Sequence, residues 1–247
     1  MATVRHLRNA PITEAVIDFR VVLPKEFRPE ILRDAKSRLA NEYSKSDEQK
    51  GFGGTIELRV GQATQNVRDL GFQGIWLKSE DEKTVAQFRI NGFTLNRLKP
   101  YAGWDAFFEA AMRAWSVYVD LAKPQSVTRI ALRYINHMPL PGVGAELNDF
   151  IHTAPRLPPS VPDVLSGFAT RVVLEHPERR VSANVVQVLE VGMDSSATTL
   201  LLDIDAHKVG DFSVTKEVLA GILQDLRAYK NNIFFGSLTD RLLESFV

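Results

Sequence analysis

Residues 126–141 read SVTRIALRYINHMPLP. Ile130, Leu132 and Tyr134 fall on one side of an extended chain, and Arg129 and Arg133 fall on the other. That period of two marks a half-buried strand. It resembles the opening strand of a unit, yet it begins midway along a chain of 247 residues. Its counterpart lies near the N-terminus, where APITEAVIDFRVVLP (10–24) sets Ala15, Ile17, Phe19, Val21 and Leu23 against Glu14, Asp18 and Arg20.

Both opening strands lead into a similar order of elements. After the first comes a helical pattern in PEILRDAKSRLANEY (29–43), with Ile31, Ala35, Leu39 and Tyr43 at helical spacing, Leu32 beside them and Pro29 in the first turn. SKSDEQKGFGG (44–54) reads as a polar loop. Strand-like runs come next at TIELRV (55–60), FQGIWLKS (72–79) and TVAQFRINGFTLNRL (84–98). A long helix in 103–124 then carries an aromatic stripe of Trp104, Phe107, Phe108, Trp115 and Tyr118, closed by Pro124. Such a stripe belongs to a core rather than to a cofactor site.

After the second opening strand come a short helix in AELNDFIHTAP (145–155), strands at 167–176, 180–191 and 198–210, and a long helix at 215–232. SLTDRLLESF (237–246) adds a further turn, with Ser237 and Asp240 spaced for an N-terminal cap. The predicted fold is therefore α+β, with two tandem similar halves of plan β-α-β-β-β-α, residues 1–123 and 124–247. Together they form one compact pseudo-symmetric domain of antiparallel sheet with helices packed on one face.

Aligning the halves sets Glu14 against Arg129 and Asp18 against Arg133, acid in one and base in the other. If the opening strands pair antiparallel about a pseudo-twofold axis, Glu14 faces Arg133 and Asp18 faces Arg129. Each such cross-strand pair contributes ~0.2–1 kcal/mol.

Thirty basic residues balance thirty acidic ones, so no global field draws the chain to nucleic acid or an anionic membrane. The absence of cysteine excludes disulfides, thiolate nucleophiles and Cys-ligated metal centres. MATVRHLRNAPITEA lacks the apolar run of a signal peptide, and no window nears the ~18 apolar residues of a membrane span. The expected setting is the cytoplasm, with no membrane and no cofactor.

In LDIDAH (202–207), Asp203, Asp205 and His207 project from one face of a strand. Two carboxylates and an imidazole begin a divalent-metal site, but ligands on one strand are splayed and no second element completes the set. No metal site is assigned. Arg129, Arg133, Asn136 and His137 cluster on the middle strand, where Arg suits bidentate capture of a carboxylate. A regular strand puts Asn136 on the buried side, needing hydrogen-bond partners. There is no G-x-S-x-G, and PGVG (141–144) lacks the Lys-Ser/Thr of a phosphate loop. A nucleic-acid saddle would use Arg20, Arg59, Arg89, Arg97, Arg129, Arg133 and a stacking Phe93. Glu14, Asp18, Glu57, Asp203 and Asp205 on the same face disfavour phosphate.

NAPITEAVIDFRV (9–21), LRYIN (132–136), LLLDID (200–205) and IFFGSLTDRL (233–242) occur in this order. Taken together they resemble a sporadically distributed, functionally uncharacterised prokaryotic protein family. The resemblance covers nearly the whole chain and carries over no catalytic residue. It implies mobile genes, as in defence or toxin–antitoxin neighbourhoods, and marks Asn9, Pro11, Glu14, Arg133, Tyr134, Asn136, Asp203, Asp205, Thr239 and Asp240 as motif positions.

The expected function is non-enzymatic binding. A mixed-charge sheet face or inter-half groove would meet a protein partner or small-molecule ligand, a second copy of the chain being admissible. Glu14, Arg129, Arg133, Asn136, Asp203, Asp205 and His207 would bind. The alternatives are a metal-dependent hydrolase or nuclease using Asp203 and Asp205, and the nucleic-acid saddle.

Overall fold

The computed structural model describes residues 7–59, 62–140, 147–156, 158, 160, 167–191 and 198–247, with side chains for all but 54–59, 62–68 and 191. PGVG (141–144) and the side chains of Glu57 and Arg59 lie outside the described residues.

Nine strands form one antiparallel sheet: β1 (Ile12–Val22), β2 (Lys45–Arg59), β3 (Gln62–Lys78), β4 (Thr84–Arg89), β5 (Gly92–Leu98), β6 (Ser126–Leu140), β7 (Phe168–His176), β8 (Val181–Val191) and β9 (Thr198–Phe212). The order is β2-β3-β4-β5-β1-β6-β9-β8-β7. The two opening strands, β1 and β6, pair antiparallel at its centre. Outward from them run β5, β4, β3 and β2 on one side and β9, β8 and β7 on the other.

The strands alternate as their sequences require. Ala15, Ile17 and Phe19 of β1, Phe93 and Leu95 of β5, Ile130, Leu132 and Tyr134 of β6, and Leu202, Ile204 and Ala206 of β9 are buried on one face. Burying each large apolar side chain contributes about 1.5–3 kcal/mol.

Helix α2 (Trp104–Ala122) contacts β4 and β5, and α3 (Lys216–Ser237) contacts β6 and β9. The aromatic stripe of α2 is core, as expected. Trp115 meets Phe19 edge-on at 4.8 Å, and Tyr118 lies 6.0 Å from Phe88 and 6.1 Å from Phe93. The polar ends of these rings are satisfied: Trp115 Nε1 donates to the Val214 carbonyl at 3.1 Å and Tyr118 Oη to the Arg89 carbonyl at 3.0 Å.

Several elements differ from their sequence reading. The polar stretch 44–54 mostly belongs to β2, an edge strand whose charged side chains suit solvent and pair laterally, as Asp47 does with Lys78. The run 84–98 is a hairpin, β4 and β5, turning at Ile90–Asn91. The first half of the chain thus contributes five strands rather than four. Gly92 sits at φ +153° so close to β1 that a Cβ would strike the Phe19 carbonyl oxygen, which explains glycine there.

The predicted helix 29–43 is a 3-10 turn, Pro29–Asp34, followed by one α turn, α1 (Ala35–Arg38). Tighter winding rotates the apolar stripe, so Leu32 is buried and Ile31 exposed. In the described part of 145–155, only Leu147–Asp149 is helical, as a 3-10 turn. α3 runs on to Ser237, whose hydroxyl donates to the Ile233 carbonyl. The cap of α4 (Asp240–Leu243) is therefore Thr239 and not Ser237, its Oγ1 accepting from Leu242 N at 3.4 Å. Thr239 Oγ1 also donates to the Asp149 carbonyl, and Arg241 pairs with Asp149, tying the C-terminal turn to the 147–149 segment.

Candidate functional site

The face of the sheet opposite α2 and α3 carries a connected set of ion pairs at the β1–β6 seam. It is built from side chains that alternate with the buried ones, so Asp18 follows Ile17 and Asp205 follows Ile204. Asp18 is the hub. Its Oδ2 accepts from Arg89 of β4 at 2.5 Å and Thr94 of β5 at 2.8 Å, and its Oδ1 accepts from Arg129 of β6 at 3.3 Å. Arg129 continues the chain to Asp205 of β9, with Nη2 at 2.8 Å from Oδ2. One hydrogen-bonded row thereby crosses five adjacent strands, β4-β5-β1-β6-β9.

Two shorter rows lie beside it, toward the N-terminal end of β1. Arg133 grips Asp203 with both ends of its fork, Nε to Oδ1 at 2.8 Å and Nη2 to Oδ2 at 2.6 Å. That hydrogen bond, and the carboxylate's charge, push the Arg133 guanidinium further above its ordinary value. Across the β1–β6 seam, Gln87 of β4 donates to Asn96 of β5 at 2.8 Å, and Asn96 donates to Glu14 of β1.

The register corrects the expected charge pairing. Directly opposite partners are Glu14 with Ile135, Val16 with Arg133, Asp18 with Ala131 and Arg20 with Arg129. Asp18 still meets Arg129, but across a diagonal. Glu14 bonds to β5 and does not meet Arg133. From Glu14 to Arg20 the register is regular and offset by two residues from the expected twofold alignment; irregularities fall only at its two ends, Ile12/Glu14 and Arg20/Val21.

Of the predicted binding residues, Glu14, Arg129, Arg133, Asp203, Asp205 and His207 share this polar face. His207 sits opposite Ala131, its Nδ1 3.3 Å from the Asp205 carbonyl oxygen. Asn136 does not join them: it is buried on the helix side, where its Nδ2 donates to the Leu202 carbonyl at 3.0 Å. Its role is to satisfy a strand carbonyl. Phe93 and Arg97, assigned to a saddle surface, also lie on the helix side. Phe93 is fully buried, and Arg97 donates to Thr84 Oγ1 and the Pro100 carbonyl. Arg97 lines a cavity of about 230 Å³ with Leu95, Gly103, Ala106 and Phe107, separated from the ion pairs by the sheet.

Sequence reasoning overlooked Thr94 and Asn96. Both alternate with buried Phe93 and Leu95, and the hairpin signal Asn91-Gly92 would have set that phase.

Chemically the set is self-neutralising. Arg20, Arg89, Arg129 and Arg133 match Glu14, Asp18, Asp203 and Asp205 in number. Asp203 and Asp205 are each held by a guanidinium, so a cation would have to displace arginine to reach them. Among the described residues no group of three His, Cys, Asp or Glu side chains could hold a metal ion, and no helix is long and apolar enough to cross a membrane. Comparison with protein-family models finds no match for this chain, and comparison with curated proteins finds none.

Proposed function

We propose that this chain is a non-enzymatic binding protein whose polar sheet face recognises a partner protein. The support for this reading is the Arg89–Asp18–Arg129–Asp205 row: fixed charges of both signs, neutral in sum, on a face away from the helices. Small ligands favour concave, largely apolar sites. A broad face of alternating charge with apolar residues among it, such as exposed Val209 opposite Arg129, suits a complementary protein surface. Arg133 is the residue we assign to direct contact. It is the more exposed member of its pair and retains donors beyond those engaged by Asp203.

The mirrored strand order supports a duplicated chain, with halves 1–123 and 124–247, helices on one face of a shared sheet, and the extra strand β2 added to the first half. Membership of the sporadically distributed prokaryotic family, a cytoplasmic setting and a defence or toxin–antitoxin context are proposed on the motif resemblance. The motif residues have structural uses compatible with it: Pro11 accepts from His137 N at 2.9 Å, Asn9 N donates to the Phe246 carbonyl at 3.0 Å, and Thr239 caps α4.

The test is affinity capture from the native host's extract with wild type, Arg133→Ala and Asp203→Ala, each checked for folding by circular dichroism. The reading requires a specific protein retained by wild type and lost from both variants. Unchanged profiles would overturn it.

A further inference from the structure

The two free edges of the sheet are unlike. On β2, Lys45, Asp47 and Glu48 are charged and engaged in ion pairs with Glu82, Lys78 and Arg33. That pattern blunts an edge against pairing. Among the described residues β7, at the other end, is hydrogen-bonded to β8 alone in the sheet order. Its middle is apolar and open to solvent, with Val172 48%, Val173 59% and Leu174 37% exposed. No proline interrupts the strand, and Pro177 comes directly after it.

A second copy fits this edge by symmetry alone. Two identical edge strands pair antiparallel through a twofold axis perpendicular to the sheet. Opposed residues in an antiparallel ladder share a face, so the axis must pass beside a residue and not between two. Centred on Val173, the axis sets Val173 against its copy, Val172 against Leu174, Arg171 against Glu175 and Thr170 against His176. Centring on Val172 would oppose Arg171 to Val173 and Glu175 to Ala169. Centring on Leu174 would oppose Glu175 to Val173 and Arg171 to Pro177. Only the Val173 register covers the apolar residues with each other and places opposite charges face to face, twice.

We propose that the chain forms a homodimer through β7, pairing residues 170–176 of two copies in this register to make one continuous sheet of both subunits. Among the described residues of one subunit, Arg171 donates only to Asn184, at 3.3 Å, and Glu175 has no ion pair, so both charges are available. The perpendicular axis leaves the polar faces of both subunits on the same side. The proposal does not rest on what that face binds.

Light scattering coupled to size exclusion, and sedimentation equilibrium, decide it. Wild type at micromolar concentration should run as a dimer. Val173→Lys should run as a monomer with an unchanged circular dichroism spectrum. Arg171→Glu and Glu175→Arg should each weaken the dimer by roughly tenfold or more, because each creates two like-charge contacts. The double variant Arg171→Glu/Glu175→Arg should restore it. A monomeric wild type, a dimer indifferent to Val173→Lys, or failure of the double variant to recover would each overturn the proposal. Loss of capture by Arg133→Ala with the dimer intact would separate this interface from the polar face.

Discussion

Arg129 and Asp205 are joined across a diagonal. Their atoms meet at 2.8 Å, although the strand register places Arg129 opposite Val209 and Asp205 opposite Arg133. Ala131 lies between these rungs, opposite both Asp18 and His207, and is buried although it points to the polar face. Its methyl group leaves the space over which Arg129 reaches two carboxylates at once.

The hub and the rim of this network should differ in stability. The Asp18 side chain is 15% exposed and accepts hydrogen bonds from two arginines and a threonine, whereas Arg133 is 45% exposed. Asp18→Ala leaves Arg89 without its carboxylate and Arg129 with Asp205 alone, and should cost about 2–4 kcal/mol in urea unfolding. Arg133→Ala should cost less than about 1 kcal/mol. Comparable losses would refute the hub assignment.

The core makes a stronger demand. Trp115 contacts Phe19, Phe93 and Tyr118 and carries the hydrogen bond to Val214. Trp115→Ala should lower stability by about 3–5 kcal/mol. Gly92→Ala, which drives a methyl into the Phe19 carbonyl, should be at least as damaging despite adding only one carbon. Thermal melts of soluble protein read both, and a Gly92→Ala melt matching wild type would show that β5 can shift.

Lys230 gives the fold a pH dependence. It is 9% exposed on α3, with Nζ 3.9 Å from the Tyr134 ring centroid. Burial, and secondarily the charge of Arg227, bring its amine down from 10.5 to about 7. Between those values the unfolded chain carries a proton at Lys230 that the folded chain does not, so stability rises with pH across this window and the penalty is complete below it. Lys230→Met should therefore stabilise the protein, most at pH 6 and much less at pH 9.5. Urea midpoints at both values check this. An equal gain at the two would mean that the Tyr134 ring keeps the ammonium charged.

Magnesium, manganese and zinc should leave the melting temperature unchanged, because Asp203 and Asp205 are already held by Arg133 and Arg129. A saturable rise with one of these ions would reinstate a metal-dependent hydrolase.

Much of the fold is legible in short-range pattern. Period two in 12–23 and 126–140, and the aromatic spacing of 104–118, identify strand and helix because a side chain's direction is set by its own backbone. The hairpin inside 84–98 is legible too, in Asn91-Gly92. The pattern at 29–43 misleads because Leu32 and Ile31 differ only in how tightly the turn is wound, and packing against the core selects Leu32. The acid-to-base reversal between Asp18 and Arg133 is visible in the sequence, but the partner of each is not. Arginine side chains reach past their own rung, so the register between strands and the size of neighbouring residues choose among several carboxylates of equal charge. The sequence by itself thus determined which residues of β1, β6 and β9 point away from the core. Only the tertiary structure decided that Asp18 meets Arg89, Thr94 and Arg129, because that choice depends on register between strands distant in the chain, which no local periodicity contains.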